Sequence, residues 1–307
     1  MKKQNNLQQV LPILLVILII VLLVIGWKYW SNNVVEGLES KNELTIVTGY
    51  FKINRTRTID YKQGRKEMSD NSDGVYKEWM KGLLSYNGPM IIYCDHESYD
   101  YINNLRKNNK KTVIHKMKIE ELYAYKYFKN NIYNTKNYST MIWKEHNDPN
   151  INKQLFTVWN SKIDLLKKSV DTNPFNTKYF SWYDIGYLRE PKKLDPNWPN
   201  KNKLKILDDK ILFLGVYGET CKNDLTTGGY IGCNVNNINK LHQLFYNELD
   251  KKYKNGEFKG NEGNDQNLMH KIKCENLDFI NNIKGEDNKD FYPNVEGKWF
   301  YMIPYFN

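Results

Sequence analysis

Short apolar or aromatic runs bounded by turn residues alternate along this chain with longer stretches whose apolar positions recur every three or four residues. The runs Leu44–Tyr50, Met90–Cys94 and 112–115 read as strands, as does Tyr179–Tyr183, which is aromatic almost throughout. Val75, Trp79, Leu83 and Tyr86 predict a helix over 74–86. Further helices are expected over 98–108, 119–132 and 151–169, the last with Leu155, Val158, Trp159, Ile163 and Leu166 on one stripe. Residues 211–217 and 229–231 follow as strands around a turn, and 237–253 and 264–272 as helices. A late strand is expected over 298–305, and the Pro/Lys/Asn-rich stretch 190–203 reads as an exposed loop. Strands alternating with helices predict an α/β fold: a mainly parallel central sheet flanked by helices on both faces, with no repeat and no second-domain boundary.

One segment breaks the rhythm. Residues 10–27 are almost wholly apolar and uncharged, long enough at helical rise to cross a bilayer. Trp27, Tyr29 and Trp30 stand where interfacial aromatics belong. No small-residue cleavage site follows, which favours an anchor over a removed signal peptide. Lys2 and Lys3 precede the span, whereas Lys28 and then Glu36 and Glu39 follow it. The expectation is a type II single-pass protein: cytoplasmic tail 1–9, transmembrane helix 10–27, stem 28–42, and a luminal or external body over 43–307.

The net charge of +10 changes this picture little, because the lysines are scattered and neither an arginine stripe nor a zinc-finger or RNP pattern accompanies them. Nucleic acid is not an expected partner; mild attraction to anionic ligands is. Cys94, Cys221, Cys233 and Cys274 form no CxxC pair, so a zinc site is not expected. A Cys221–Cys233 bridge across the Gly228-Gly229 turn and free thiols are both open. The five histidines lack metal-site spacing, and no GxSxG motif points to a serine hydrolase.

Candidate chemistry lies in acids and glycines at the ends of elements. Asp184 follows the aromatic strand and precedes Gly186; Asp95 follows the second strand; Asp265 and Gln266 open a helix. In an α/β sheet the carboxyl ends of strands are where ligands bind. Thr48, Gly49 and Tyr50 end the first strand, and Arg55 and Arg189 are placed to meet a diphosphate. Gly228 and Gly229 permit close backbone approach. Taken alone, Asp184 and Asp265 read as helix caps, and Arg55 and Arg189 as solvated surface side chains.

Taken together, the segments 46–51, 89–95, 173–180, 182–186 and 211–214, with Gly228-Gly229 and Asp265-Gln266, resemble the HtrL/YibB-type family, and through it glycosyltransferases. The specific part is the block N-P-F-x-T-x-Y-F-x-W-x-D-I-G over 173–186. The resemblance implies a GT-A-like, nucleotide-diphospho-sugar transferase fold, with Asp184 standing where such enzymes carry a DxD metal motif. Gly186 replaces the second acid, so Mn²⁺ or Mg²⁺ at Asp184 is an open expectation. The function expected is transfer of a sugar from a nucleotide-sugar donor to a glycan, glycoprotein or lipid acceptor. Asp184 and Asp265 are its catalytic candidates, and Thr48, Gly49, Tyr50, Arg55, Asp95, Arg189, Gly228, Gly229 and Gln266 its donor-binding candidates. A catalytically silent glycan-binding ectodomain on the same fold is the alternative.

Overall fold

The computed structural model describes residues 21–22, 24, 43–53, 72–131, 149–189, 194–218, 221–222, 224–254 and 264–307. The chain divides into two compact units, 1–41 and 42–307. In the first, Val21, Leu22 and Val24 are helical and exposed. No helix among the described residues is long and apolar enough to cross a membrane, and the expected span 10–27 lies almost entirely outside them.

The second unit is built on a seven-stranded sheet. Its elements are β1 (Leu44–Tyr50), α1 (Ser72–Leu84), β2 (Met90–Cys94), α2 (Tyr99–Arg106), β3 (Thr112–Lys116), α3 (Tyr123–Asn131), α4 (Pro149–Trp159), α5 (Lys162–Thr172) and β4 (Tyr179–Tyr183), then α6 (Lys201–Leu204), β5 (Ile211–Val216), β6 (Leu225–Asn234), α7 (Ile238–Lys254), α8 (Asp265–Glu275), β7 (Ile280–Lys284) and α9 (Met302–Tyr305). The spatial order is β3-β2-β1-β4-β6-β5-β7, and β6 alone runs against the rest. The mainly parallel sheet flanked by helices is therefore as the hydrophobic pattern predicts.

Strand residues alternate between two buried layers, as the pleat requires. Val47, Ile91, Phe180, Trp182, Phe213 and Ile231 join one core with residues of α3, α4, α5, α7 and α8. Ile46, Ile92, Tyr179, Tyr183, Leu212 and Tyr230 join the other with α1, α2 and the carboxyl-terminal segment. The chain builds outward from β1 to β3, then returns to lay β4 on the other side of β1. That reversal is a topological switch point, and the carboxyl ends of β1 and β4 are the usual ligand position in such sheets.

Several expectations are corrected. The single helix over 151–169 is two, α4 and α5, broken at Asn160-Ser161. There Asn160 Nδ2 donates to the Phe156 carbonyl (3.0 Å) and Ser161 Oγ to that of Thr157 (2.7 Å), side chains competing with the backbone ladder. The late strand over 298–305 is instead a 3₁₀ turn (Gly297–Phe300) followed by α9. The described part of the 190–203 loop contains the start of α6. A strand absent from the sequence reading, β7, pairs with β5; its Asn282 donates to the buried Asp224 carboxylate (2.9 Å).

The cysteine pairing is also corrected. Gly228-Gly229 is not a turn but the middle of the continuous ten-residue strand β6. Cys221 precedes this extended strand and Cys233 lies near its far end, so the two cannot meet. Instead Cys221 bonds Cys274 near the end of α8, with Cα atoms 5.7 Å apart. Cys94 and Cys233 are free and buried, and burial pushes both thiols well above their ordinary range.

Candidate functional site

At the reversal between β1 and β4, three elements converge on one lysine. Asp184 follows the last residue of β4, and its backbone N–H donates to the Gly229 carbonyl (2.9 Å) on β6. A turn then forms, Tyr187 N–H donating to the Asp184 carbonyl (2.8 Å), so Asp184 does not cap a helix at Gly186. Asp265 opens α8, but the cap there is Asn264, whose side chain accepts from the Asn267 N–H (2.8 Å). The Asp265 carboxylate is thereby left for other partners.

The partner is Lys162, the first residue of α5. Its ammonium lies 3.0 Å from Asp184 Oδ1 and 2.9 Å from Asp265 Oδ2, and it donates to the Gly228 carbonyl at 2.7 Å. Two carboxylates and a backbone carbonyl thus surround the ammonium. The side chains of Lys162 and Asp265 are each 6% exposed, whereas Asp184 is 45% exposed. One carboxylate is buried and the other faces solvent. The break at Asn160-Ser161 restarts the helix at Lys162, at the sheet's carboxyl edge.

Electrostatics follow from this arrangement. Burial alone would lower the Lys162 pKa, but the two carboxylates outweigh it and hold the group above its ordinary value of 10.5. Burial raises the Asp265 pKa above 3.8, with Lys162 opposing the rise. Asp184 is oriented by a further donor, the Trp182 indole N–H, at 2.9 Å from Oδ1. Asp184 Oδ2 has only a long 3.4 Å approach from Lys162.

Two glycines make room for the cluster. A Cβ at Gly228 would collide with the Asp265 carboxylate. A Cβ at Gly49 would come within 3.1 Å of the Trp182 ring, so β1 passes close beside the residue that orients Asp184. Gly229 lies against the Tyr187 ring.

The other predicted residues are more dispersed. Thr48 is fully buried and its hydroxyl has no hydrogen-bond partner; Tyr50 is half-buried with its ring centroid 5.7 Å from that of Tyr76. Asp95 shapes the adjoining rim, accepting from the backbone N–H groups of Lys52 and of Ser98, the latter at 2.7 Å. Arg189 stacks its guanidinium over Trp79 at 3.7 Å and Phe300 at 4.9 Å. Gln266 is half-buried, its N–H donating to Asp265 Oδ1 (3.0 Å). Arg55 lies outside the described residues. The structure thus brings together Asp184, Asp265, Gly228 and Gly229, with Gly49 against the Trp182 that orients Asp184.

Sequence reasoning missed Lys162. A signal existed: Lys162 falls inside the apolar stripe of Leu155, Val158, Trp159 and Leu166, one helical turn from its neighbours. A lysine on a buried stripe needs a carboxylate partner.

The residues present do not fit a divalent ion between Asp184 and Asp265. Their facing oxygens already surround the Lys162 ammonium, and among the described residues no group of three His, Cys, Asp or Glu side chains is placed to hold a metal.

Fold and site together define an α/β protein with a lysine–carboxylate cluster at the switch point of its sheet. The chain belongs to the HtrL_YibB family, described as bacterial proteins of unknown function, which matches residues 42–292. A search of the curated proteins by sequence finds no match. Among solved structures, mouse xyloside xylosyltransferase 1 in its apo form is similar at 10% identity, TM-score 0.44, covering 78% of this chain and 84% of its own. The 4-diphosphocytidyl-2C-methyl-D-erythritol synthase of Anaerococcus prevotii is similar at 10% identity, TM-score 0.35, covering 83% and 90%.

Proposed function

We propose that this chain is a nucleotide-sugar-dependent glycosyltransferase on a GT-A-like fold, transferring a sugar to a glycan, glycoprotein or lipid acceptor. The observation that carries the reading is the solvent-facing Asp184, fixed by Trp182 and Lys162 at the reversal between β1 and β4. A crevice outside the carboxyl ends of parallel strands suits a nucleotide. In this reading Gly49, Tyr50 and the rim organised by Asp95 receive the base and ribose, and Thr48 supports that wall from beneath. Asp184 accepts hydrogen bonds from hydroxyls of the donor. Gly228, Gly229 and Gln266 border the sugar. Asp265 acts through Lys162, and Arg55 or Arg189 offsets diphosphate charge.

Residues 10–27 anchor the protein, with the body external. The Cys221–Cys274 bond supports that orientation, since disulfides persist in oxidising compartments. The test is donor hydrolysis and sugar transfer by Asp184→Asn. The reading expects both to vanish with the circular dichroism spectrum retained; full turnover against a verified donor overturns it.

One observation favours the alternative, a silent glycan-binding module: Asp265 is buried, leaving a single exposed carboxylate in the cluster. Calorimetry separates the two. Affinity for nucleotide-sugars supports the transferase, whereas affinity for free glycans without nucleotide binding supports the silent module.

A further inference from the structure

The Lys162 ammonium is held as a small cation would be. Three oxygens from three elements surround it at 2.7–3.0 Å: a carboxylate after β4, a carboxylate at the start of α8 and a carbonyl of β6. Its side chain is 6% exposed, so it reaches this point from within the core and not from solvent. A divalent ion bridging the same carboxylates would have to expel the ammonium from that interior or stand beside it against like-charge repulsion.

We propose that Lys162 is the resident cation of this site, taking the position a divalent metal would otherwise hold between Asp184 and Asp265, so that donor recognition is metal-independent. The ligand class is narrowed accordingly. Asp184 meets the donor through Oδ2 as a hydrogen-bond acceptor, which selects hydroxyl-bearing groups (the ribose or the sugar) and not a metal-chelated diphosphate. Lys162 touches no ligand and is a positioning residue. Three observations favour this assignment over an incidental surface pair: the burial of both Lys162 and Asp265, the approach of two carboxylates to within 3.0 Å of one ammonium, and the glycine at 228 that alone admits the Asp265 carboxylate. The hydroxyl-recognition part rests on the transferase reading above; the metal part does not.

The experiment is Mn²⁺ binding to the full-length protein, read by loss of the free-ion paramagnetic resonance signal without nucleotide. Wild type is expected to show no saturable binding that Asp184→Asn removes. Lys162→Ala uncovers two facing carboxylates and is expected to gain a site at least tenfold tighter, lost again in Lys162→Ala/Asp184→Asn. Wild-type binding abolished by Asp184→Asn overturns the assignment, as does a folded Lys162→Ala protein with no gain. Should Lys162→Ala not fold, the wild-type arm decides alone. Calorimetry of wild type with nucleotide-sugars in EDTA and in Mn²⁺ tests the second half: equal affinity supports it and a tenfold loss in EDTA overturns it. Absence of nucleotide-sugar binding under both conditions refutes the transferase reading instead, leaving the Mn²⁺ result to stand by itself.

Discussion

Replacing Lys162 with methionine keeps the buried stem and removes the charge. Asp265, 6% exposed, is left without its counter-ion, and Asp184 loses its ion-pair partner. Removing one partner of a buried ion pair costs roughly 3–5 kcal/mol. For a unit of this size each kcal/mol moves the melting temperature by about 2–4 °C, so a fall of about 6–20 °C is expected. The loss should depend on pH. Burial already raises the Asp265 pKa above 3.8, and without Lys162 it climbs further. A folded-state value above the unfolded one means that the native state holds the proton more tightly. The penalty is therefore small near the unfolded value and grows as pH rises through the folded one. In wild type the lysine contribution is full below 10.5 and is lost as pH climbs through the raised folded value. Thermal and urea unfolding across pH 4–8, about the range in which carboxylate linkage acts, is the assay. The companion variant Lys162→Met/Asp265→Leu should recover most of the loss. A Lys162→Met penalty below about 1 kcal/mol, the scale of an exposed pair, refutes the reasoning, as does failure of the double variant to recover.

Gly228→Ala pushes a methyl group into the Asp265 carboxylate, and a loss of about 1–3 kcal/mol is expected, read by urea unfolding. Gly229→Ala, with the Tyr187 ring 3.2 Å away, should cost less. Trp182→Phe keeps the ring packing but deletes the N–H donated to Asp184; stability should fall by about 1.5 kcal/mol or less while nucleotide-sugar affinity drops clearly more. Loss of the Cys221–Cys274 bond, which spans 53 residues, should cost up to about 4 kcal/mol on the chain-entropy view. Thiol titration of the native protein should find Cys94 and Cys233 unreactive until it unfolds.

What the sequence reveals and conceals follows from how local each signal is. The strands of the central sheet are legible because their apolar runs are short and bounded by turn residues, and Asp184 is legible because it ends one of them. β7 is not, since Asn281 and Asn282 interrupt its pattern; Asn282 is accommodated only because Asp224, distant in sequence, accepts its amide. The tail reads as a strand because it is aromatic, yet Phe300, Met302, Ile303 and Phe306 are buried at helical spacing against the second core. The Cys221–Cys233 expectation failed with the turn it assumed: two glycines suggested a reversal, but they lie within a strand, where Gly228 clears the Asp265 carboxylate. Lys162 is the instructive omission. Its role depends on Asp184, Gly228 and Asp265, three segments apart in the chain, and only the misplaced charge on an apolar stripe announces it.

The central claim is that the Asp184 site holds a nucleotide-sugar. It is tested most directly by calorimetric titration of full-length wild type and Asp184→Asn with a panel of UDP- and GDP-sugars. The account predicts saturable binding of at least one donor by wild type, weakened tenfold or more in a variant that keeps the wild-type circular dichroism spectrum. Equal donor affinity in the two proteins, or no binding by wild type across the panel, would contradict it.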